Sequence, residues 1–365
     1  MRKLASIQVV SALSPIPDSN NIEVATILGW KVVVKKGEFN VGDRCVYCEI
    51  DSILPERPEF EFLRKSKFRI KTIKLRGQIS QGIVFPLSVL PQHEIKCAVG
   101  NDVTELLGVL KYETPDEAEK PMRKHSRSAF MKFLFKFKIF RKLFVENKVR
   151  GEWPEGMPHT DETRIQAITE VLDKYGDVEF NISEKLDGQS GSYFLYRRKS
   201  LFGFKDCLGV CSRTIWKKTN DNSNWWKIAI AENIEKKLKM SQGRYVVQGE
   251  IVGSGIQGNK LRLPKVCFYV HNVLNKSNSY EPLTPDEMKR FCETYGFKHV
   301  PYLGTVKLSD FTVDTLVEFA KGNSVITPSV LREGIVLRPT TNIVDKKLGW
   351  LSFKVINNDF LLKHQ

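Results

Sequence analysis

No apolar run among the 365 residues approaches the roughly 18–20 that a bilayer-spanning helix needs. A secretory leader is not expected either: "MRKLASIQVVSAL" starts basic but turns strand-like, with polar residues inside it. Seven cysteines cannot all pair. A reducing cytosol or nucleus therefore fits better than secretion. There is no internal repeat and no long low-complexity tract. Acidic residues are the minority, 42 against 57 Lys and Arg, which leaves a net charge of +15. Such a field favours polyanions, nucleic acid first and an anionic membrane surface second.

Metal-ligand patterns are also thin. Cys45 and Cys48 form a CxxC, but within "DRCVYCEI", an alternating strand on which residues three apart point to opposite faces. Cys207 and Cys211 do not complete the paired spacing of a zinc site. All four read as small buried hydrophobes.

What is present divides the chain in three. Residues 1–110 read as five or so short strands, rich in β-branched and aromatic residues, with turn signals at Pro15, Pro17, Asp18, Gly37, Gly42, Gly77 and Gly82. That pattern suits a small OB-like barrel, with a small sandwich as the competing reading. Residues 111–150 shift to a basic and aromatic linker or insertion. Its "FMKFLFKFKIFRKLF", 130–144, fits helical and strand periods nearly equally well. It reads as a surface-packed element, an RNA backbone contact or an interfacial membrane helix. Residues 151–365 alternate strand-like and helical stretches. "TDETRIQAITEVLDKYGD" predicts a helix capped by Thr160 and ended by Gly176. The expected fold class is α+β: an N-terminal OB-like β-barrel followed by a nucleotidyltransferase (ATP-grasp-like ligase) domain with antiparallel sheets and flanking helices.

The chemistry centres on "ISEKLDGQSG". At its ordinary pKa of about 10.4, roughly one lysine in 2,500 is neutral at pH 7. Lys185 would therefore need neighbouring cations or burial to attack phosphorus. Further along come partners of the right types. Arg213 is a planar donor for phosphate or ribose, and Lys354 a late cation for phosphates. Glu250 and Glu333 are separated carboxylates suited to a ribose and to Mg²⁺ held through water. Each glutamate alone would more often be a salt-bridge partner. Lys-x-Asp-Gly alone is equally consistent with a surface turn.

In this order, Lys185-Leu186-Asp187-Gly188, Ser212-Arg213, Gly249-Glu250, Glu333-Gly334-Ile335-Val336 and Phe353-Lys354 resemble motifs I, Ia, III, IV and V of the covalent nucleotidyltransferases. "FYVHNV" resembles motif IIIa. "HTDETRIQ" upstream and "GSGIQGNK" after Glu250 are similar to elements of ATP-dependent RNA ligases. "LRGQISQGIVFPL" is similar to the OB domain that precedes the catalytic domain in one class of them. Only eleven residues follow Lys354, which leaves no room for the sixth motif of DNA ligases and capping enzymes.

The resemblance implies that Lys185 becomes adenylylated and that Arg164 and Arg213 contact phosphates or the incoming strand. Glu250 would hold the ribose or a metal-bound water, Glu333 a metal-bound water, and Lys354 the α-phosphate. Gln166, Asp187, Gly188 and His271 would complete the ATP/AMP site, with Asp187 a further candidate for the metal. Ser352 and His271 depart from the pattern, where a second lysine and a phenylalanine are usual. His271 reads equally as an adenine stack and as an ordinary core or surface histidine. The expected function is an ATP-dependent RNA ligase for RNA repair, using Mg²⁺ or Mn²⁺, acting on RNA ends or a nicked duplex, and monomeric. A DNA ligase, a guanylyltransferase and a non-catalytic nucleic-acid-binding protein are the alternatives.

Overall fold

The structure, a computed structural model, describes residues 3–91, 98–112, 151–200, 203–217 and 222–364. The 130–144 segment and nearly all of the 111–150 linker lie outside the described residues. The chain divides into two compact units. One comprises Met1–Thr114, Glu162–Leu186 and Pro301–Gln365; the other comprises Asp187–Val300 and the described part of Pro115–Asp161.

The first unit holds two five-stranded sheets. The N-terminal one runs Trp30–Lys35, Ile22–Ile27, Ala5–Pro15, Arg44–Cys48, Ile83–Pro86, antiparallel throughout. Ala5–Pro15 serves two neighbours: Ala5–Val9 pair with Arg44–Cys48, and Val10–Pro15 with Ile22–Ile27. Its register shifts between Val10 and Ala12. A bulge there bends the strand, which is how a sheet curls toward a barrel. Trp30, Tyr47 and Phe60 are fully buried inside it. This is the expected OB-type architecture. Cys45 and Cys48 are both buried in its core, and burial pushes the Cys45 thiol up to about 12. Ile356 and Leu361, from the far end of the chain, pack into the same core.

The second sheet of this unit runs Thr163–Arg164, Phe353–Ile356, Gly334–Pro339, Glu179–Lys185, Tyr302–Lys307. Directly paired residues share a face. Phe180, Ile182, Ile335, Leu337, Phe353 and Val355 lie on one face and form its core. The opposite face carries Asn181, Ser183, Lys185, Val336, Arg338 and Lys354. The helix expected from Thr160 to Gly176 is a correction. Thr163–Arg164 is a short strand parallel to Phe353–Lys354, Ile165–Ala167 is a single 3₁₀ turn, and only Glu170–Lys174 is α-helical. Pairing with a strand about 190 residues away outweighs the local helical period.

The second unit is one antiparallel sheet, in the order Gly203–Cys211, Gln189–Ser200, Tyr245–Val252, Cys267–Asn275, Glu281–Pro282. Helices Asn224–Ala231, Ile234–Met240 and Pro285–Tyr295 bury Ile228, Leu238 and Phe291 against Tyr193, Val247 and Phe268. The last helix starts with a reciprocal Thr284–Glu287 capping box and ends at Gly296 in the left-handed region. The other face packs Phe194, Val246 and Leu274 against Trp153 and Met157. No helix among the described residues is long and apolar enough to cross a membrane.

Two outcomes follow for the first unit. Phe353 is fully buried, with its ring centroid 5.6 Å from that of Phe180. Phe353→Ala should cost about 3–5 kcal/mol, read as a lower urea midpoint. Glu184 shares the core-facing side of its strand; burial raises its pKa, only partly offset by hydrogen bonds from Ser324 and the Val325 amide and by the charge of Arg332. A raised folded pKa means the folded state holds the proton more tightly. That contribution is fully present below the ordinary glutamate value of about 4.3 and is lost as pH rises through the folded value. Glu184→Gln should therefore gain stability relative to wild type between pH 4 and pH 7 (about the unfolded value upward). A Tm difference that stays flat or falls over that range would refute this.

Candidate active site

Lys185 is the last residue of its strand and pairs in register with Gly334 of the neighbouring strand. Glu333 immediately precedes Gly334, so the register alone brings the two side chains near each other. Lys185 Nζ donates to Glu333 Oε2 at 2.8 Å, with the lysine side chain 23 % and the glutamate 14 % exposed. Gly334 makes the approach feasible: a Cβ there would collide with the Val355 carbonyl oxygen. Lys354 pairs with Val336 on one side and Arg164 on the other. Lys185, Lys354 and Arg164 thus occupy one sheet face.

Arg164 is held by a residue the sequence reading did not select. Asp51, in the OB-type domain, accepts from Arg164 Nη2 at 3.4 Å and from Arg69 Nη2 at 2.9 Å. The Arg69 guanidinium in turn lies 3.6 Å from the centroid of the Tyr112 ring. Gln166 is 2 % exposed, and its Oε1 is buried without a hydrogen-bond partner. A buried amide oxygen left unpaired is costly unless a ligand satisfies it. Arg338, on the same face as Lys354, donates to Glu162 Oε1 at 2.8 Å and to Ser352 Oγ at 3.2 Å.

The chain returns to the second unit at Asp187. Lys260 Nζ lies 2.8 Å from Asp187 Oδ2; "GSGIQGNK" contains this lysine, but nothing in its spacing marks it as the partner. Gly188 leaves no room for a side chain: a Cβ would meet the Ile251 carbonyl oxygen, the Val252 side chain and Glu250 Cγ. Gly188 and Glu250 are therefore neighbours. Arg213 makes a two-point contact with Asp161, Nη2 to Oδ1 at 2.6 Å and Nε to Oδ2 at 3.2 Å. His271 lies half-buried in the Cys267–Asn275 strand. Among the described residues, no group of three or more His, Cys, Asp or Glu converges to hold a metal. The carboxylates present suit an ion bound mainly through water and phosphate oxygens, the mode Mg²⁺ favours.

Residues 178–356 match the RNA ligase family model, and residues 4–87 match an OB-fold domain model. Among solved structures, a lysine-to-methionine mutant of Naegleria gruberi RNA ligase with AMP and Mn is 30% identical. The match covers 100% of this chain and 99% of that one, with a TM-score of 0.80. The same ligase with PPi is also 30% identical over 100% and 99% of the two chains, with a TM-score of 0.79. A lysine-to-alanine mutant with ATP and Mn gives 29% identity over 99% of each chain and a TM-score of 0.80. A comparison with curated protein sequences finds no match. The matches join an OB-fold domain to an RNA ligase domain, in that order along one chain. The chain belongs to the RNA ligase family.

Gly188→Ala should force the 187–189 backbone away from Ile251 and Glu250. The expected cost is about 1–3 kcal/mol, the usual range for overpacking, seen as a lower thermal midpoint. An unchanged midpoint would mean the backbone has slack that the packing does not show.

Proposed function

We propose that this chain is an ATP-dependent ligase that joins a 3′-hydroxyl to a 5′-phosphate on RNA through a covalent lysyl-AMP. The observation that carries this is Lys185 at a strand end, held at 2.8 Å by Glu333 on a sheet face it shares with Lys354 and Arg164. The relative was solved with ATP, with AMP and with PPi. The arginine, lysine and aspartate altered in its mutants have the same spacing along the chain as Arg164, Lys185 and Asp187. That likeness supports carrying the roles over.

An ammonium paired with a carboxylate is not a nucleophile, so the Lys185–Glu333 pair must open before attack. Glu333 can then turn to a hydrated cation, with Glu250 and Asp187 as the other candidate holders. A divalent ion would supply charge neutralisation and orientation for phosphate oxygens. Attack requires the neutral amine, so Lys185 must also give up a proton. Lys185 Nζ then forms a bond to the α-phosphorus as the bond to pyrophosphate breaks. AMP passes to the RNA 5′-phosphate, and the 3′-hydroxyl displaces it. Lys354 and Arg213 would bind phosphate, Arg164 phosphate or the incoming strand, and Glu250 the ribose or a metal-bound water. Gln166 Oε1 would be satisfied by the nucleotide, and nucleotide binding is the role carried over to His271, Asp187 and Gly188. The boundaries proposed for these tasks are 1–110 for positioning RNA and 151–365 for catalysis. A reducing compartment, cytosol or nucleus, is the proposed location.

The test uses α-labelled ATP or GTP, followed by denaturation of the protein. Wild type should retain label from ATP alone, and Lys185→Ala should retain none while unfolding at the wild-type temperature. Label persisting in the variant would move the nucleophile elsewhere. Preference for GTP would favour a guanylyltransferase, and no label with either nucleotide would favour a non-catalytic binding protein.

A further inference from the structure

The second unit carries a feature that the proposed chemistry does not use. Gln189–Ser200 pairs with Tyr245–Val252 only through Phe194, yet it continues paired with Gly203–Cys211 as far as Ser200. Beyond the sheet, these two strands form a ribbon with no other strand against it among the described residues. Arg197, Arg198, Lys199, Phe204, Lys205 and Asp206 are all exposed. An isolated two-stranded ribbon is marginally stable in water; this one is anchored at its base, where the paired Leu195 and Leu208 are buried in the core of the unit, and its far end is exposed.

The register sorts its side chains. Arg197 pairs with Asp206 and Lys199 with Phe204, which places these four on one face; Arg198 and Lys205 pair on the other. Phe204 is 71 % exposed, and the Arg197 guanidinium stands 6.0 Å from its ring centroid. A solvated phenyl ring sharing a face with Arg197 and Lys199, with Arg198 and Lys205 on the reverse face, is poorly explained by folding. A base stacked on the ring, with phosphates on the cations, would use the ring and the cations; Asp206, 3.9 Å from Arg197, is the acid that a phosphate would displace.

We propose that this ribbon is a contact surface for single-stranded RNA, with Phe204 as the stacking platform and Arg197, Arg198, Lys199 and Lys205 on phosphates. Only the identity of the polyanion rests on the ligase reading. Duplex RNA fits poorly: its deep, narrow major groove does not admit such a ribbon, and its paired bases offer no free face to Phe204. The partner is an unpaired stretch flanking the ends to be joined.

The experiment measures binding of full-length protein to a labelled mixed-sequence single-stranded oligoribonucleotide, to a blunt RNA duplex and to phosphatidylcholine–phosphatidylserine vesicles, across salt concentrations. Phe204→Ala should weaken single-strand binding on the order of tenfold, the scale of one lost stacking contact, with the salt slope unchanged. Arg197→Gln, Arg198→Gln and Lys199→Gln together should lower the slope of log affinity against log salt by about 2, at about 0.7 per phosphate contact. Duplex binding should change less in both variants. Labelling by ATP should match wild type. Single-strand affinity and slope that stay at wild-type values in both variants would overturn the proposal, as would losses confined to the vesicles. Failure of wild type to label with ATP would count against the ligase reading alone, since ribbon-dependent RNA binding is read separately.

Discussion

The register between Glu179–Lys185 and Gly334–Pro339 is the constraint on which the rest depends. It places Lys185 opposite Gly334 and thereby beside Glu333, and it places Val336, and through it Lys354, on the lysine's face. A slip of one residue would turn every side chain to the opposite face and send the lysine into the core. What fixes the register is the apolar set on the other side. Phe180, Ile182, Ile335, Leu337, Phe353 and Val355 can be buried together in one alignment only. Lys185 is therefore positioned by burial it takes no part in.

The same sheet explains why the two ends of the chain share a unit. Ile356 closes the Phe353–Ile356 strand and, with Leu361 of the terminal helix, enters the core of the OB-type domain. The turn between Ile27 and Trp30 approaches the segment after Arg164 so closely that the Gly29 amide donates to the Gln166 carbonyl at 2.9 Å. Asp51 then orients Arg164. An N-terminal domain that shares a core with the C-terminal helix and holds an arginine on the face of Lys185 and Lys354 is part of the framework of that sheet.

Sequence made much of this visible, for physical reasons. β-branched and aromatic runs with turn punctuation give the N-terminal strands, because their burial repeats every second residue. The order of Lys185, Arg213, Glu250, Glu333 and Lys354 is legible because each sits at a strand end or on a polar face that packing does not dictate. What failed was the helix over 160–176: its period is genuine, but a parallel strand near the far end of the chain claims Arg164. Partners at long range were likewise hidden. Asp51 for Arg164, Lys260 for Asp187 and Asp161 for Arg213 follow from the fold, and no local spacing announces them.

These partners share one logic. Three candidate site cations, Lys185, Arg164 and Arg213, and the neighbouring Arg338 each sit against a carboxylate, from Glu333, Asp51, Asp161 and Glu162. A carboxylate orients a guanidinium or ammonium at modest strength, since the pairs are only partly buried. A phosphate carries more charge and more acceptor oxygens, so it can compete for the same donors. The acids thus preorganise the cations without blocking them. Because the local acids balance these cations, the surplus of +15 lies largely elsewhere on the chain. A surplus outside the nucleotide chemistry belongs with a long polyanion that touches the protein at many points.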